Sequence, residues 1–371
     1  MFRTAYSRQL DGLRALSVIA VAASHWALHW NPKPSAFSRA AELGVETFFV
    51  ISGFLITGIL LDHRSERETS LVLRNFYCRR FLRIFPLYYL ALALAVLLGA
   101  DNMRESWGWH FSYLSNLYFY LHGWIGQGGH FWSLAVEEQF YLIWPILILS
   151  VSRRLPFILF ACVLGAPVYA VSMNVTHPGA LGPASASVLM PSCLGALGLG
   201  AFLAFSVRHS TKTVSFVRAL LVVGLTGTVL WHALGSADWL APLNRLAEDF
   251  LLGWLVFGAA NGFGGFVGWI LSQSVMVYLG RISYGLYVIH GFAWAFIDGT
   301  LKDFRCSERF VNVCHEKMVA IPMLIVITVG LASISWRYWE QPLNNLKRNF
   351  AYPETATGRA NIVLPAPQKG G

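Results

Sequence analysis

DGLRALSVIAVAASHWALHW, residues 11–30, is apolar enough to enter a bilayer, yet it carries Arg14 near one end and His25 deeper in. At ~100° per residue, the eleven steps between them return a side chain to within about 20° of its starting direction. Both groups therefore share one stripe of one helix, with ~16 Å of axial rise between them. Ionisable groups inside a membrane span are costly and usually face a cavity or a pathway. A cation near the entrance and a base further in point to an extended anionic reagent, held at one end and reacted at the other. Asp11, three positions before Arg14, is placed to pair with it.

The rest of the 371-residue chain has the same character. It is 56% apolar and 13% charged, against about 25% charged in soluble domains. Ten apolar segments are long enough to cross, each needing roughly 20 residues. They fall at 13–30, 44–61, 84–100, 131–151, 155–173, 187–207, 219–235, 246–262, 276–297 and 318–336. The expected fold is an all-α polytopic membrane protein, a bundle of about ten transmembrane helices in the cell (inner) membrane. The aromatic stretch FSYLSNLYFYL, 111–121, is too short to cross and is expected to be re-entrant or interfacial.

Loop charge sets the expected orientation. Arg64, Arg67, Arg74, Arg79, Arg80 and Arg83 follow the second segment, Arg153 and Arg154 the fourth, Arg208 and Lys212 the sixth. With both termini cytoplasmic, all of these lie inside, as the positive-inside rule requires. Residues 298–317 then lie outside, although they carry Lys302, Arg305, Arg309 and Lys317. Those charges either line an acceptor entrance or mark a count that is off by one. The same loop holds Cys306 and Cys314, which form a disulfide if exported into an oxidising compartment or stay as two thiols. The expected domain spans 1–348, and 349–371, rich in Pro, Gly and Ala, is a disordered cytoplasmic tail. The net charge of +9 belongs to such loops rather than to nucleic-acid binding, because the basic residues are scattered between apolar blocks. The five cysteines form no CxxC pair, so neither a zinc site nor a redox motif is indicated.

Further polar residues interrupt the apolar segments. His29 follows His25 by four, a spacing that also suits a helical metal pair. No Glu lies between the two and no third ligand is evident, so a general base is preferred and no metal is expected. Glu46 in the second segment is either an interfacial carboxylate or a functional one. Arg80 and Arg83 share a helix face, suited to bidentate phosphate contact. The competing explanations are plain topology and anionic lipid head groups. In HFWSLAVEEQFYLIWPILI, 130–148, Ser133, Glu137 and Tyr141 share a face while Glu138 points about 100° away. Glu137 either orients or charge-stabilises an imidazole, or ties helices together. His290 in the ninth segment lines the cavity or packs, and Glu340 before Pro342 reads as a structural clamp at the membrane exit.

Taken together, these stretches resemble membrane-bound acyltransferase family 3, bacterial O-acyltransferases of surface polysaccharides and some small glycosides. The resemblance rests on LDGLRALSVIAVAASHW with its Arg14-x10-His25 spacing, GVETFFVISGFLITGILL, RRFLRIFPLYYL, FWSLAVEEQFYLIWP, LGRISYGLYVIHG and YWEQPLN. They occur in family order over about residues 10–345. The resemblance implies a ten-span protein that takes an acyl group, usually acetyl, from cytoplasmic acyl-CoA and passes it to a glycan or glycoside hydroxyl. It implies that Arg14 and His25 are the signature pair, that Arg80 and Arg83 form the arginine cluster, and that Glu137 is the family's acidic residue. Many relatives carry a fused extracytoplasmic SGNH domain. This chain looks like the stand-alone form, which leaves open whether a separate extracytoplasmic protein completes transfer.

On that expectation Arg80, Arg83 and Arg14 hold the phosphates of acetyl-CoA, and the pantetheine arm reaches toward His25. His25 acts as general base or as a nucleophile carrying the acyl group, and Glu137 orients or stabilises the imidazole. The rival class is a transporter or flippase of a lipid-linked sugar, which ten spans with internal polar residues would also suit. A metal-dependent membrane enzyme using His25 and His29 is the third.

Overall fold

The computed structural model describes residues 7–28, 36–64, 69–100, 102–124, 128–176, 186–235, 238–303 and 317–352. Long helices occupy all ten apolar segments. They are α1 (Arg8–Leu28), α2 (Ala36–Asp62), α3 (Thr69–Leu97), α6 (Phe131–Ser150), α7 (Leu155–Thr176), α8 (Met190–His209), α9 (Thr213–Leu234), α10 (Ala241–Asn261), α13 (Ser283–Asp303) and α14 (Lys317–Ser335). Among the described residues there is no strand. Among the described residues seven helices are each long and apolar enough to cross a membrane, and α10 forms an eighth candidate with α11 (Gly265–Leu271), bent from it by 78°. The chain is an all-α polytopic membrane protein. Helices α1 and α13 have 21 residues each but are more polar, because they carry Arg14, His25 and His290.

Close backbone approach holds the bundle together. Gly53 of α2 meets the Leu197 carbonyl of α8, and Gly200 of α8 meets the Val50 carbonyl of α2, so a Cβ at either would collide with main chain. In lipid such small residues let helices gain dispersion contact that no hydrophobic effect supplies. The same device seats α1. Gly12 abuts the Leu271 carbonyl at the end of α11, and Gly280 of α12 (Ser274–Arg281) abuts the Asp11 carbonyl. Asp11 and Arg14 are thereby fixed in depth.

The 111–121 stretch does not cross. It lies in two short helices, α4 (Met103–Phe111) and α5 (Ser115–His122), joined through Tyr113 at φ 54°. The free carbonyls of that turn are taken by other helices: Tyr88 Oη donates to His110 O at 2.8 Å, and Gln139 Nε2 to Tyr113 O at 2.9 Å. At the other end of the chain, α14 runs into a π-helical turn, Trp336–Glu340. A short α15 (Gln341–Asn345) and a 3-10 turn, Leu346–Phe350, follow. Packed chain thus continues past the expected boundary at 348, because Ala351 and Tyr352 are held by α3 and the end of α2.

Candidate active site

One end of the site is a histidine pair. His25 Nδ1 lies 2.9 Å from His290 Nε2, with the rings stacked at 5.1 Å. His290 is completely buried, and its Nδ1 sits 2.7 Å from the Tyr287 carbonyl oxygen. A carbonyl only accepts, so His290 Nδ1 carries the hydrogen and, in the neutral ring, Nε2 carries the lone pair. His25 Nδ1–H then donates to His290, and the lone pair of His25 resides on Nε2. One buried histidine thus fixes the tautomer and the plane of the other.

His290 is itself held from several sides. Trp26 Nε1 donates to its carbonyl at 3.2 Å, and the ring of His130 stands 4.8 Å away. His130 Nε2 donates to Val288 O at 3.2 Å. Ser133 Oγ and Tyr287 Oη lie 2.5 Å apart, and Tyr287 Oη also donates to His130 O at 3.1 Å. Gly291 has no side chain because His130 occupies that space. His130 was not among the residues singled out in the sequence. Its signal was its position three before Ser133, on the polar face of α6.

Glu137 is set apart from the histidines. Ser52 Oγ donates to Glu137 Oε1 at 2.8 Å and Tyr141 Oη to Oε2 at 3.0 Å. The reason is depth. Ser133 is level with Tyr287, His290 lies three residues further toward the histidine end on α13, and Glu137 lies four residues the opposite way on α6, which separates them by roughly 10 Å along the bundle. Among the described contacts, the partner of His25 is therefore His290 and not the expected carboxylate. Glu138, on the other face, is within coulombic reach of Tyr88, Tyr113 and Tyr284.

The other end is cationic. The Tyr141 ring that carries the Glu137 bond lies 5.2 Å from the Arg80 guanidinium, which also sits 5.5 Å over Phe76. Arg83, one turn on, is within coulombic reach of Arg14, Arg80 and Asp11. Arg14 Nη1 is 3.0 Å from Asp11 Oδ1, the pairing their spacing predicted. Among the described residues neither Arg80 nor Arg83 makes a side-chain hydrogen bond or ion pair. Tyr284 Oη donates to Ile84 O at 2.7 Å and ties α13 to α3, so both ends of the α1 stripe face the same pair of neighbours. Arg14 is within coulombic reach of Arg83 on α3, and His25 bonds His290 on α13.

A family described as an acyltransferase domain matches residues 7–337. The chain belongs to acyltransferase family 3. Peptidoglycan O-acetyltransferase OatA of Listeria monocytogenes is 31% identical over 92% of this chain and 57% of its own. YrhL of Bacillus subtilis, provisionally named a peptidoglycan O-acetyltransferase, is 26% identical over 91% of this chain and 55% of its own. The chain thus spans little more than half the length of these relatives. No solved structure matches it.

In this member of the family the other candidate residues fall as follows. Glu46, 1% exposed, pairs with Arg245 of α10. Beside it Arg39 bonds Glu248 and Glu42, so Glu46 belongs to an ion network between α2 and α10. Glu340 is buried and accepts from Ser335 Oγ at 3.0 Å. His29, Cys306, Cys314 and the tail from 353 onward lie outside the described residues.

Proposed function

We propose that the protein transfers an acetyl group from cytoplasmic acetyl-CoA to a hydroxyl of a cell-surface glycan, with peptidoglycan, named for its relatives, as the first acceptor to try. The observation that carries this is the pairing of functions along α1: Arg14 beside unpaired Arg83 at one end, His25 oriented by His290 at the other. About 16 Å of helix between them suits a pantetheine arm, with the phosphates at the arginines and the thioester at the imidazole. The arginine-rich ends are cytoplasmic in this scheme, so the acceptor approaches His25 from the opposite side.

The chemistry follows from the tautomer. His25 Nε2 takes the proton of the acceptor hydroxyl as the oxygen attacks the thioester carbonyl. The tetrahedral adduct collapses, the carbon–sulfur bond breaks, and the coenzyme A thiolate recovers the proton from His25. His290 Nε2 accepts from Nδ1–H throughout and steadies the imidazolium. Glu137, bonded to Ser52 and Tyr141, lies along the path of the arm and offsets the charge of Arg80.

Membranes containing the protein should transfer radiolabelled acetyl from acetyl-CoA to glycan, and membranes with His25→Ala should not. Transfer at near wild-type rate by His25→Ala would remove the assignment of the base. Failure of the wild type to consume acetyl-CoA with any glycan would remove the donor.

A further inference from the structure

The segment after the last crossing is bound into the cationic end of the site. Arg79 Nη1 donates to the Lys347 carbonyl at 3.1 Å and to that of Phe350 at 3.3 Å. Asn75 Nδ2 donates to Ala351 O at 2.6 Å. The Tyr352 ring packs 4.7 Å from that of His63 and beneath Arg79 at 5.2 Å. Arg79 is therefore a clamp on this segment, which separates it from Arg80 and Arg83.

What the clamp delivers is Lys347. It is 8% exposed and within coulombic reach of Arg83, Arg80, Arg79 and Glu340. The acid in that set, Glu340, already accepts from Ser335. Among the described residues the Lys347 ammonium makes no hydrogen bond or ion pair, and the same holds for Arg80 and Arg83. Arg80 and Arg83 are half-buried, and like charges gathered at such a site repel more than they do in open water. Burying a charge without a partner is costly. An anion with several acceptor oxygens sitting among the three relieves that cost.

We propose that Lys347, with Arg80 and Arg83, binds the phosphates of the acyl donor, and that residues 341–352 form a wall of the donor site. This rests on the donor assignment made above. The two arginines offer planar forks and Lys347 a compact point charge, a combination suited to phosphate. Residue 347 lies beyond the 7–337 match to the family.

The test is coenzyme A binding to the full-length protein in detergent, measured calorimetrically. Lys347→Gln should raise the Kd at least about tenfold, as loss of one charge-assisted contact does. Lys347→Arg should stay within about threefold of wild type. Pantetheine, which has no phosphate, should compete equally well against both. Should Lys347→Gln misfold, CoA should still protect Lys347 of the wild type from an amine-reactive reagent. An unchanged Kd in folded Lys347→Gln, or equal labelling with and without CoA, overturns the proposal. So does a variant that loses co-purified phosphatidylglycerol while keeping its CoA affinity, which would make the cluster a lipid head-group site. If wild type binds no CoA, the donor assignment itself has failed. If Arg83→Gln weakens CoA and Lys347→Gln does not, only the lysine proposal has.

Discussion

His25 Nδ1 and His290 Nε2 are 2.9 Å apart, and the Tyr287 carbonyl on the far side of His290 decides which nitrogen carries which hydrogen. His290 is then a positioning residue for the proposed base. His290→Leu should lower kcat by about 10²-fold, within the range ascribed to a well-placed general base. The KM for acetyl-CoA should move less than about twofold, since the arginines are untouched. A rise in KM with unchanged kcat would show that His290 shapes donor binding and not the imidazole.

Glu137 makes a contrasting case. Glu137→Gln keeps an oxygen to accept from Ser52 or Tyr141 while removing the charge near Arg80. If the carboxylate balances the arginines, kcat should fall less than about tenfold and acetyl-CoA affinity should change, because the local positive charge rises. A loss as complete as that of His25→Ala would restore Glu137 to the proton-transfer machinery. Steady-state kinetics at varied acetyl-CoA separates the two.

The α4–α5 cap should loosen in acid. Burial holds the His110 imidazole below its ordinary pKa, opposed by the backbone carbonyls of Ser106 and Gly128. The neutral ring is thus favoured when folded. Its stabilisation is present above the unfolded value of about 6.5 and is lost as pH falls through the lower folded value. Hydrogen exchange across 103–122, corrected for the intrinsic pH dependence of amide exchange, should speed up as pH falls below about 6.5, and His110→Gln should flatten that dependence. An equal acceleration in the variant would place the acid sensitivity elsewhere.

Much of this was legible in the chain, for a reason that also marks where legibility stopped. Helical periodicity places residues on faces, so the Arg14–His25 stripe, the Asp11–Arg14 pair and the Arg80–Arg83 face follow from spacing within one helix. Which helices face one another, and at what depth, does not. His290 and His25 are 265 residues apart in sequence, and their meeting depends on how α13 docks on α1. The same missing information let Glu137 stand as the imidazole's partner, although α6 holds it about two turns too deep. Lys347 was hidden differently: a polar, charged stretch after an apolar span reads as ordinary loop charge until the bonds from Asn75 and Arg79 are seen.

The α2–α8 contact gives a prediction about stability alone. Gly53 and Gly200 each face a carbonyl of the opposite helix, so a methyl at either must push two backbones apart along much of their contact. Overpacking a well-packed core costs about 1–3 kcal/mol. Rigid main chain cannot step aside as a flexible side chain does, so Gly53→Ala should reach the upper part of that range. Gly165 of α7 has no atom within 4 Å of its missing Cβ. Gly165→Ala should therefore be neutral or gain up to about 1 kcal/mol from helix propensity. Thermal melting in detergent tests both. A fall in Tm for Gly53→Ala with none for Gly165→Ala supports carbonyl contact as the reason for glycine, and equal falls would point to a general intolerance of change in these helices.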